Sequence, residues 1–341
     1  MSSPAPVERA AQRRPALALL VSLLALVLAV LLSISFGSND IALDRVWHHL
    51  LHPDGSIESG VVHDQRVPRT VVAGIVGAAL GLAGALMQSL TRNPLADPGI
   101  LGINAGATLA VVVAVAVAGV SGIWFYLWFA FAGAAIAAVS VYVLAGTGRA
   151  RASPARLALA GIAVSAALTA IVQTVMLLDQ VVFNELRFWV VGSLQGRGWS
   201  VLSAVGPFLA IGVLLALLLG PALNALALGD ETAQGLGVRI ARARAGAMIA
   251  VTLLAGAATA AVGPIGFVGL GVPLIARALV GPDQRWITGL CLLLGPAWLM
   301  SADTLARVVL PEAEIEVGIV AALIGAPVFV VMVSRRKVAA L

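Results

Sequence analysis

Gly263-Pro264-Ile265-Gly266-Phe267-Val268-Gly269-Leu270-Gly271-Val272-Pro273 sits inside a stretch, about 245 to 276, that contains no Asp, Glu, Lys or Arg. Taken as one helix, the stretch is a single membrane span. Taken as broken at Gly263-Pro264, it is one span followed by a shorter, glycine-interrupted one. Proline removes a backbone donor and glycine accepts the conformations that end helices, so the break is the expected reading. The choice decides on which side of a membrane everything after it lies.

Outward from this stretch the chain repeats the pattern. Further charge-free runs cover about 15 to 39, 70 to 91, 98 to 148, 157 to 178, 199 to 222, 286 to 302 and 317 to 334. Roughly 20 apolar residues in a helix cross the ~30 Å hydrocarbon core with every backbone hydrogen bond made internally. The run at 98 to 148 is too long for one crossing and breaks at Gly119-Val120-Ser121-Gly122, giving two. The expected fold is therefore an all-α polytopic membrane protein of about ten transmembrane helices. The first run follows Arg9, Arg13 and Arg14 and is longer than a signal-peptide core, with no clear cleavage site, so it reads as an uncleaved first span. The organisation is a cytoplasmic tail at 1–14, a ten-helix domain at 15–334 and a cytoplasmic tail at 335–341.

The arginines test this count, because cytoplasmic loops carry the excess of Lys and Arg. With ten spans and the N-terminus inside, the inner segments hold Arg9, Arg13, Arg14, Arg92, Arg149, Arg151, Arg156, Arg239, Arg242, Arg244, Arg277, Arg285, Arg335, Arg336 and Lys337. The outer ones hold Arg45, Arg66, Arg69, Arg187, Arg197 and Arg307. Joining the two halves of 245 to 276 would invert every later loop and put the Arg335-Arg336-Lys337 tail outside. Ten spans with both termini cytoplasmic satisfies the bias.

Composition agrees. The 341 residues are 60% hydrophobic and 11% charged, and the mean hydropathy of +1.03 excludes an ordinary soluble domain. The 36 glycines suit helices that pack closely without a hydrophobic drive between them. A pI near 10.6 would suggest nucleic acid in a soluble protein, but the placement of the arginines accounts for it and no nucleic-acid partner is expected. The single Cys291 lies in an apolar run, which excludes internal disulfides and thiolate metal clusters.

The loops carry the remaining signal. All four histidines, His48, His49, His52 and His63, lie in the longest outer segment. His48 and His52 have the i, i+4 spacing of a metal pair, but Trp47, Leu50 and Leu51 around them fit a short amphipathic helix at the interface better, and no metal is expected. The segment ends in Arg66-Val67-Pro68-Arg69, two guanidiniums that either anchor the chain at headgroups or receive carboxylates of a partner. The first inner loop, Arg92-Asn93-Pro94-Leu95-Ala96-Asp97-Pro98-Gly99, is fixed by its prolines and runs into Gly102-Ile103-Asn104-Ala105-Gly106. Polar backbone there either lines a cavity or forms a plain turn. The third inner loop carries Gly229-Asp230-Glu231-Thr232-Ala233-Gln234-Gly235-Leu236-Gly237. Asp230 is placed to cap a short helix that Gly235 or Gly237 would end, either a solvated connection or a handle for a partner.

Several functions are excluded by what is missing. No Gly-x-x-x-x-Gly-Lys-Ser/Thr loop exists to hold a nucleotide, and no carboxylate, arginine or histidine falls inside the apolar runs, as proton relays and ion-coupled carriers require. Gly192-Ser193-Leu194-Gln195-Gly196 breaks the pattern of a hydrolase elbow. The chain reads as a conduit, not an enzyme, and needs no cofactor.

Taken together, these blocks resemble the FecCD family, the permease subunits of ATP-binding-cassette importers for iron-siderophores, heme and cobalamin. Arg66-Val67-Pro68-Arg69 is similar to its Arg-x-Pro-Arg. Gly81 through Gln88, followed by Asn93-Pro94-Leu95-Ala96-Asp97-Pro98-Gly99-Ile100-Leu101-Gly102, resembles its most distinctive block. Gly263 through Leu270 with Pro273 and Arg277 resembles a second, and Asp303 through Arg307 with Gly318 and Gly325-Ala326-Pro327 a third. Leu274 and Glu316 depart from the family's usual His and Pro. The resemblance implies a second permease subunit, two cytoplasmic ATPase subunits, an external solute-binding protein, and a ferric siderophore as substrate, with heme or cobalamin as alternatives. It implies that Arg66, Arg69 and Arg307 dock the binding protein, and that Asn93 and Leu95, with Asn104, border the path at its cytoplasmic gate. It implies that Asp230, Glu231, Gln234, Gly235 and Gly237 form the ATPase-coupling loop. An ion-coupled secondary transporter in the plasma (inner) membrane is the rival class.

Overall fold

The structure is a computed structural model that describes residues 6–119, 122–146, 154–310 and 313–334. The tail at 335–341, the first five residues, Arg149, Arg151 and Glu312 lie outside the described residues, as do the side chains of Arg9, Arg13 and Arg14. Among the described residues every regular element is helical. In chain order these are α1 (Pro6–Ser35), α2 (Leu43–Leu51), α3 (Ile57–Gly60), α4 (Val67–Thr91), α5 (Ile103–Ala118), α6 (Ile123–Gly146) and α7 (Pro154–Leu178). They continue with α8 (Gln180–Val191), α9 (Trp199–Ala227), α10 (Asp230–Gly235), α11 (Ile240–Val262), α12 (Val268–Val280), α13 (Gln284–Val308) and α14 (Val317–Ser334).

Seven helices among the described residues are long and apolar enough to cross a membrane, and three shorter apolar ones accompany them, in α5, α12 and α14. Both expected breaks are present. Gly119 and Gly122 separate α5 from α6 with φ of 59° and 110°, and Gly263 at φ 77° ends α11 before Pro264. A β-carbon at Gly263 would run into the carbonyl of Trp189, so close approach as well as backbone conformation selects glycine. The short amphipathic helix expected around His48 is α2. The helix α8 falls where only a loop was expected; Asp179 caps it by accepting from the amides of Val181 and Val182.

At about 1.5 Å per residue, α5 and α12 span only about 24 and 20 Å, less than the ~30 Å apolar core. Non-helical backbone makes up the difference and is sheltered by protein. The turn Pro98–Leu101 lies against Gly269 of α12 and Gly161 of α7, where any β-carbon would strike Pro98 or the Ile100 carbonyl. Irregular backbone at membrane depth is tolerated only where neighbouring helices bury it.

The core is built around α4, which is buried along most of its length against α13, α11, α12 and α9. Gly77 of α4 meets Gly295 of α13 backbone to backbone, Gly84 meets Gly269, and Gly106 meets Gly133 of α6. Such contacts let helices approach closely enough for van der Waals attraction to hold them in an apolar solvent. By contrast α7 leaves more than half of its residues exposed, Leu159, Ile162 and Ile171 among them.

Candidate functional site

Polar chemistry collects at the two ends of this bundle. At one end α4, α13 and the end of α1 converge. The fully buried Asp303 accepts from Arg69 Nε and Nη2 at 3.0 and 2.8 Å, and Arg307 Nε approaches its second oxygen at 3.1 Å. Arg69 Nη1 also donates to Glu314 at 2.8 Å, and Ser38 donates to the same carboxylate at 2.7 Å. Partial burial raises the Glu314 carboxyl, but the bond from Ser38 and the charge of Arg69 outweigh it, so it stays below the ordinary carboxylate range.

The other guanidinium groups serve α1. Arg307 donates to the carbonyls of Ser33 and Phe36, while Arg66 donates to Ile34, Ser35 and Asn39. Apart from that of Asn39, which lies in the loop beyond, these are carbonyls at the C-terminal end of α1, where a helix leaves acceptors unsatisfied and its dipole favours cations. Arg66, Arg69 and Arg307, remote in sequence, thus border one hollow of about 40 Å³ together with Gln65, Asn39 and Glu314. Three guanidiniums meet the carboxylates of Asp303 and Glu314 there, and the charge of Asp40 acts on Arg66 from the loop after α1. The absence of charge from the apolar runs does not extend to the helices: α4 begins before its run and α13 continues past its own, so Arg69, Asp303 and Arg307 all lie within helices. The i, i+4 spacing of Asp303 and Arg307 was the available signal for a carboxylate in this cluster. Leu305, two residues on from Asp303, is exposed, so hydropathy alone marks no buried face here.

The histidines lie beside this end. Among the described residues no group of three or more His, Cys, Asp or Glu is arranged to hold a metal ion. His49 is buried between Asp54 and Glu58, each 3.4 Å away, and the His63 ring bonds to the His49 carbonyl.

At the opposite end the segment around Asp230 forms α10. Gly229, not Asp230, is its N-cap residue, and no side chain caps it. The expected cap fails because Asp230 spends its carboxylate elsewhere: Arg92 donates to it at 2.5 Å and Arg244 of α11 at 2.9 Å. Partial desolvation raises the Asp230 carboxyl and the two guanidiniums more than reverse this, holding it below its ordinary value. The helix ends at Gly235, and Gly237 at φ 82° turns the chain while the Val238 amide bonds back to the Ala233 carbonyl. Asp230, Glu231 and Gln234 line a cleft of about 870 Å³ shared with Arg239, Arg242 and Arg244.

Asn93 and Leu95 sit exposed on the loop after α4, where the Asn93 side chain accepts from the Leu95 amide at 3.0 Å and closes the turn. Asn104 lies deeper, accepting from Thr259 of α11 at 3.0 Å. The glycine that follows it, Gly106, packs against Gly133 of α6, and both border an apolar hollow of about 540 Å³ between α5, α6 and α7.

A helical bundle of this hydropathy, with charge confined to its ends, defines a polytopic transport permease. The FecCD transport family matches residues 25–335, and the chain belongs to that family. The ferric enterobactin transport system permease protein FepD of Escherichia coli (strain K12) is 44% identical over 314 residues, 92% of this chain and 94% of its own. The Fe(3+)-citrate import system permease protein YfmD of Bacillus subtilis (strain 168) is 38% identical over 330 residues, 96% of this chain and 98% of its own. Among solved structures, an inward-facing metal-chelate type ABC transporter superposes with a TM-score of 0.81 at 26% identity, over 93% of this chain and 98% of that one. The protein is a multi-pass permease of the inner membrane.

Proposed function

We propose that this chain is the permease subunit of an importer that moves a ferric siderophore inward, driven by two separate ATPase subunits and fed by an external solute-binding protein. The observation that carries the reading is the pairing, at opposite ends of one bundle, of the arginine hollow and the short helix α10, in a sequence without a nucleotide-binding loop. Ten crossings with both termini in the cytoplasm put the arginine hollow outside and α10 inside. The substrate class is taken from the relatives, whose names specify ferric enterobactin and ferric citrate.

At the outer end, Arg69 and its neighbours accept an acidic side chain of the binding protein, which competes with Glu314 for the Arg69 guanidinium. Arg66 and Arg307, bonded to the end of α1 and to Asn39, contribute field. At the inner end, α10 seats in the ATPase, and ATP-driven closure moves it as a rigid body. Asn93, Leu95 and Asn104 border the path that opens in response. A second permease copy, or a similar chain, covers the bare face of α7 and completes the path.

The test is uptake of radio-iron from a panel of ferric siderophores, with heme and labelled cobalamin alongside, in cells with and without this gene at matched levels of the partners. Loss of uptake for a ferric siderophore alone is the expected result. Loss confined to heme or cobalamin would overturn the substrate class and leave the importer standing.

A further inference from the structure

The loop bordering the path and the helix α10 are joined by a single carboxylate. Arg92 is the residue immediately after α4 and immediately before Asn93. Its Nη2 donates to Asp230 Oδ1 at 2.5 Å and to the Leu226 carbonyl, at the end of α9, at 2.7 Å. Asp230 is the first residue of α10, and its other oxygen is held by Arg244 of α11 at 2.9 Å. One side chain from the loop thus reaches both ends of the α9–α10 connection, and one carboxylate ties loop, α10 and α11 together.

A second, independent observation marks the same residue. Arg92 has φ 51° and ψ 35°, in the left-handed region, at the position that ends α4. Glycine is the usual residue there, because it alone adopts this conformation without steric cost. An arginine kept in a glycine conformation implies that its side chain is needed, and backbone held in this way clusters where structure is tied to a switch. The loop beyond it is stiff enough to move as a unit: the Asn93 amide bonds to the Gln88 carbonyl at 3.1 Å, and the Asn93 side chain and carbonyl hold the amides of Leu95 and Ala96. Displacing Arg92 therefore displaces Asn93 and Leu95 with it.

We propose that the Arg92–Asp230 ion pair is the joint through which movement of α10 is passed to the cytoplasmic gate loop, with Arg92 and Asp230 as positioning residues for transport. The proposal rests on the reading of α10 as the ATPase-docking helix. Charge-assisted bonds to a partly exposed carboxylate are strong enough to bear this role yet remain breakable, and Arg244 keeps Asp230 aligned when the loop swings. A single guanidinium nitrogen, Nη2, makes both bonds, so the carboxylate and the Leu226 carbonyl fix its position together.

The test uses the complete complex of permease, ATPase and binding protein in proteoliposomes. Arg92→Gly removes the side chain while relieving the backbone, so a purely structural role predicts at most a change in melting temperature, with ATP hydrolysed per substrate unaltered. The joint predicts instead that ATP hydrolysed per substrate imported rises about tenfold, within the 5–150-fold span typical of coupling between sites. Arg92→Lys and Asp230→Asn should give intermediate ratios. In parallel, Gln234→Cys, exposed on α10 in a chain whose only native cysteine is buried, is cross-linked to the ATPase. Cross-linking with a raised ratio supports the joint. Cross-linking with a wild-type ratio in Arg92→Gly overturns it while leaving α10 as the docking helix, and failure to cross-link overturns the docking reading beneath it.

Discussion

Asp303 of α13 and Arg69 of α4, 234 positions apart in the chain, form a buried two-pronged ion pair with N–O distances of 3.0 and 2.8 Å. Arg307, one turn along α13, shares the same carboxylate. Two guanidiniums thus share one fully buried anion, and removing it strips Arg307 of its ion-pair partner and leaves Arg69 with the part-buried Glu314. Replacing Asp303 by Ala should cost about 3–5 kcal/mol. A thermal-unfolding series in detergent checks this: Asp303→Ala should melt well below wild type and Asp303→Asn between the two. Wild-type melting for the alanine variant would contradict the structure of this end.

Glu314 supplies a pH dependence whose sign is fixed. Its carboxyl lies lower in the folded protein than in the unfolded chain, so its contribution is fully present above the ordinary carboxylate value and is lost as pH falls through the lowered one. The difference in melting temperature between wild type and Glu314→Gln should therefore be constant from about pH 8 to pH 5 and shrink only below about pH 4. A difference that already fades between pH 7 and 6 would be inconsistent with the ion pair to Arg69.

Gly84 tests the packing of the core. A β-carbon there would press on the backbone of Gly269, with its Cα only 2.7 Å away, and backbone cannot yield as a side-chain tip can. Gly84→Ala should destabilise by about 1–3 kcal/mol, read as a lower melting temperature and less folded protein in the membrane. Gly206, which has nothing near it, is the control: Gly206→Ala should be neutral or slightly stabilising within α9.

Topology has its own check. A tag placed after Leu341 should be labelled only once the cytoplasm is opened, as the arginine distribution requires. Labelling in intact cells would mean that one of the two glycine breaks does not separate two crossings.

Much of the fold was legible because charge and helix-breaking residues both act locally. The break at Gly263-Pro264 needs no tertiary knowledge, and neither does the turn at Gly119. The outer cluster was harder to read. A hydropathy run ends at its first charge, whereas α13 continues through Asp303 and Arg307 because their charges are neutralised by α4 and by the end of α1. The same limit explains Asp230. An aspartate beside a short helix favours the cap position by local propensity, and only the fold brings Arg92 and Arg244 close enough to claim it. The helix α8 was missed because its mixed face, with Asn184, Glu185 and Arg187 among apolar residues, carries no span-like signal.

The most direct measurement is transport by the purified permease in proteoliposomes, with ATPase subunits, ATP and a ferric-siderophore-loaded binding protein each supplied or withheld. The account predicts accumulation only when all three are present, and none with an ion gradient alone. Accumulation by the permease alone, driven by a proton or sodium gradient, would contradict it.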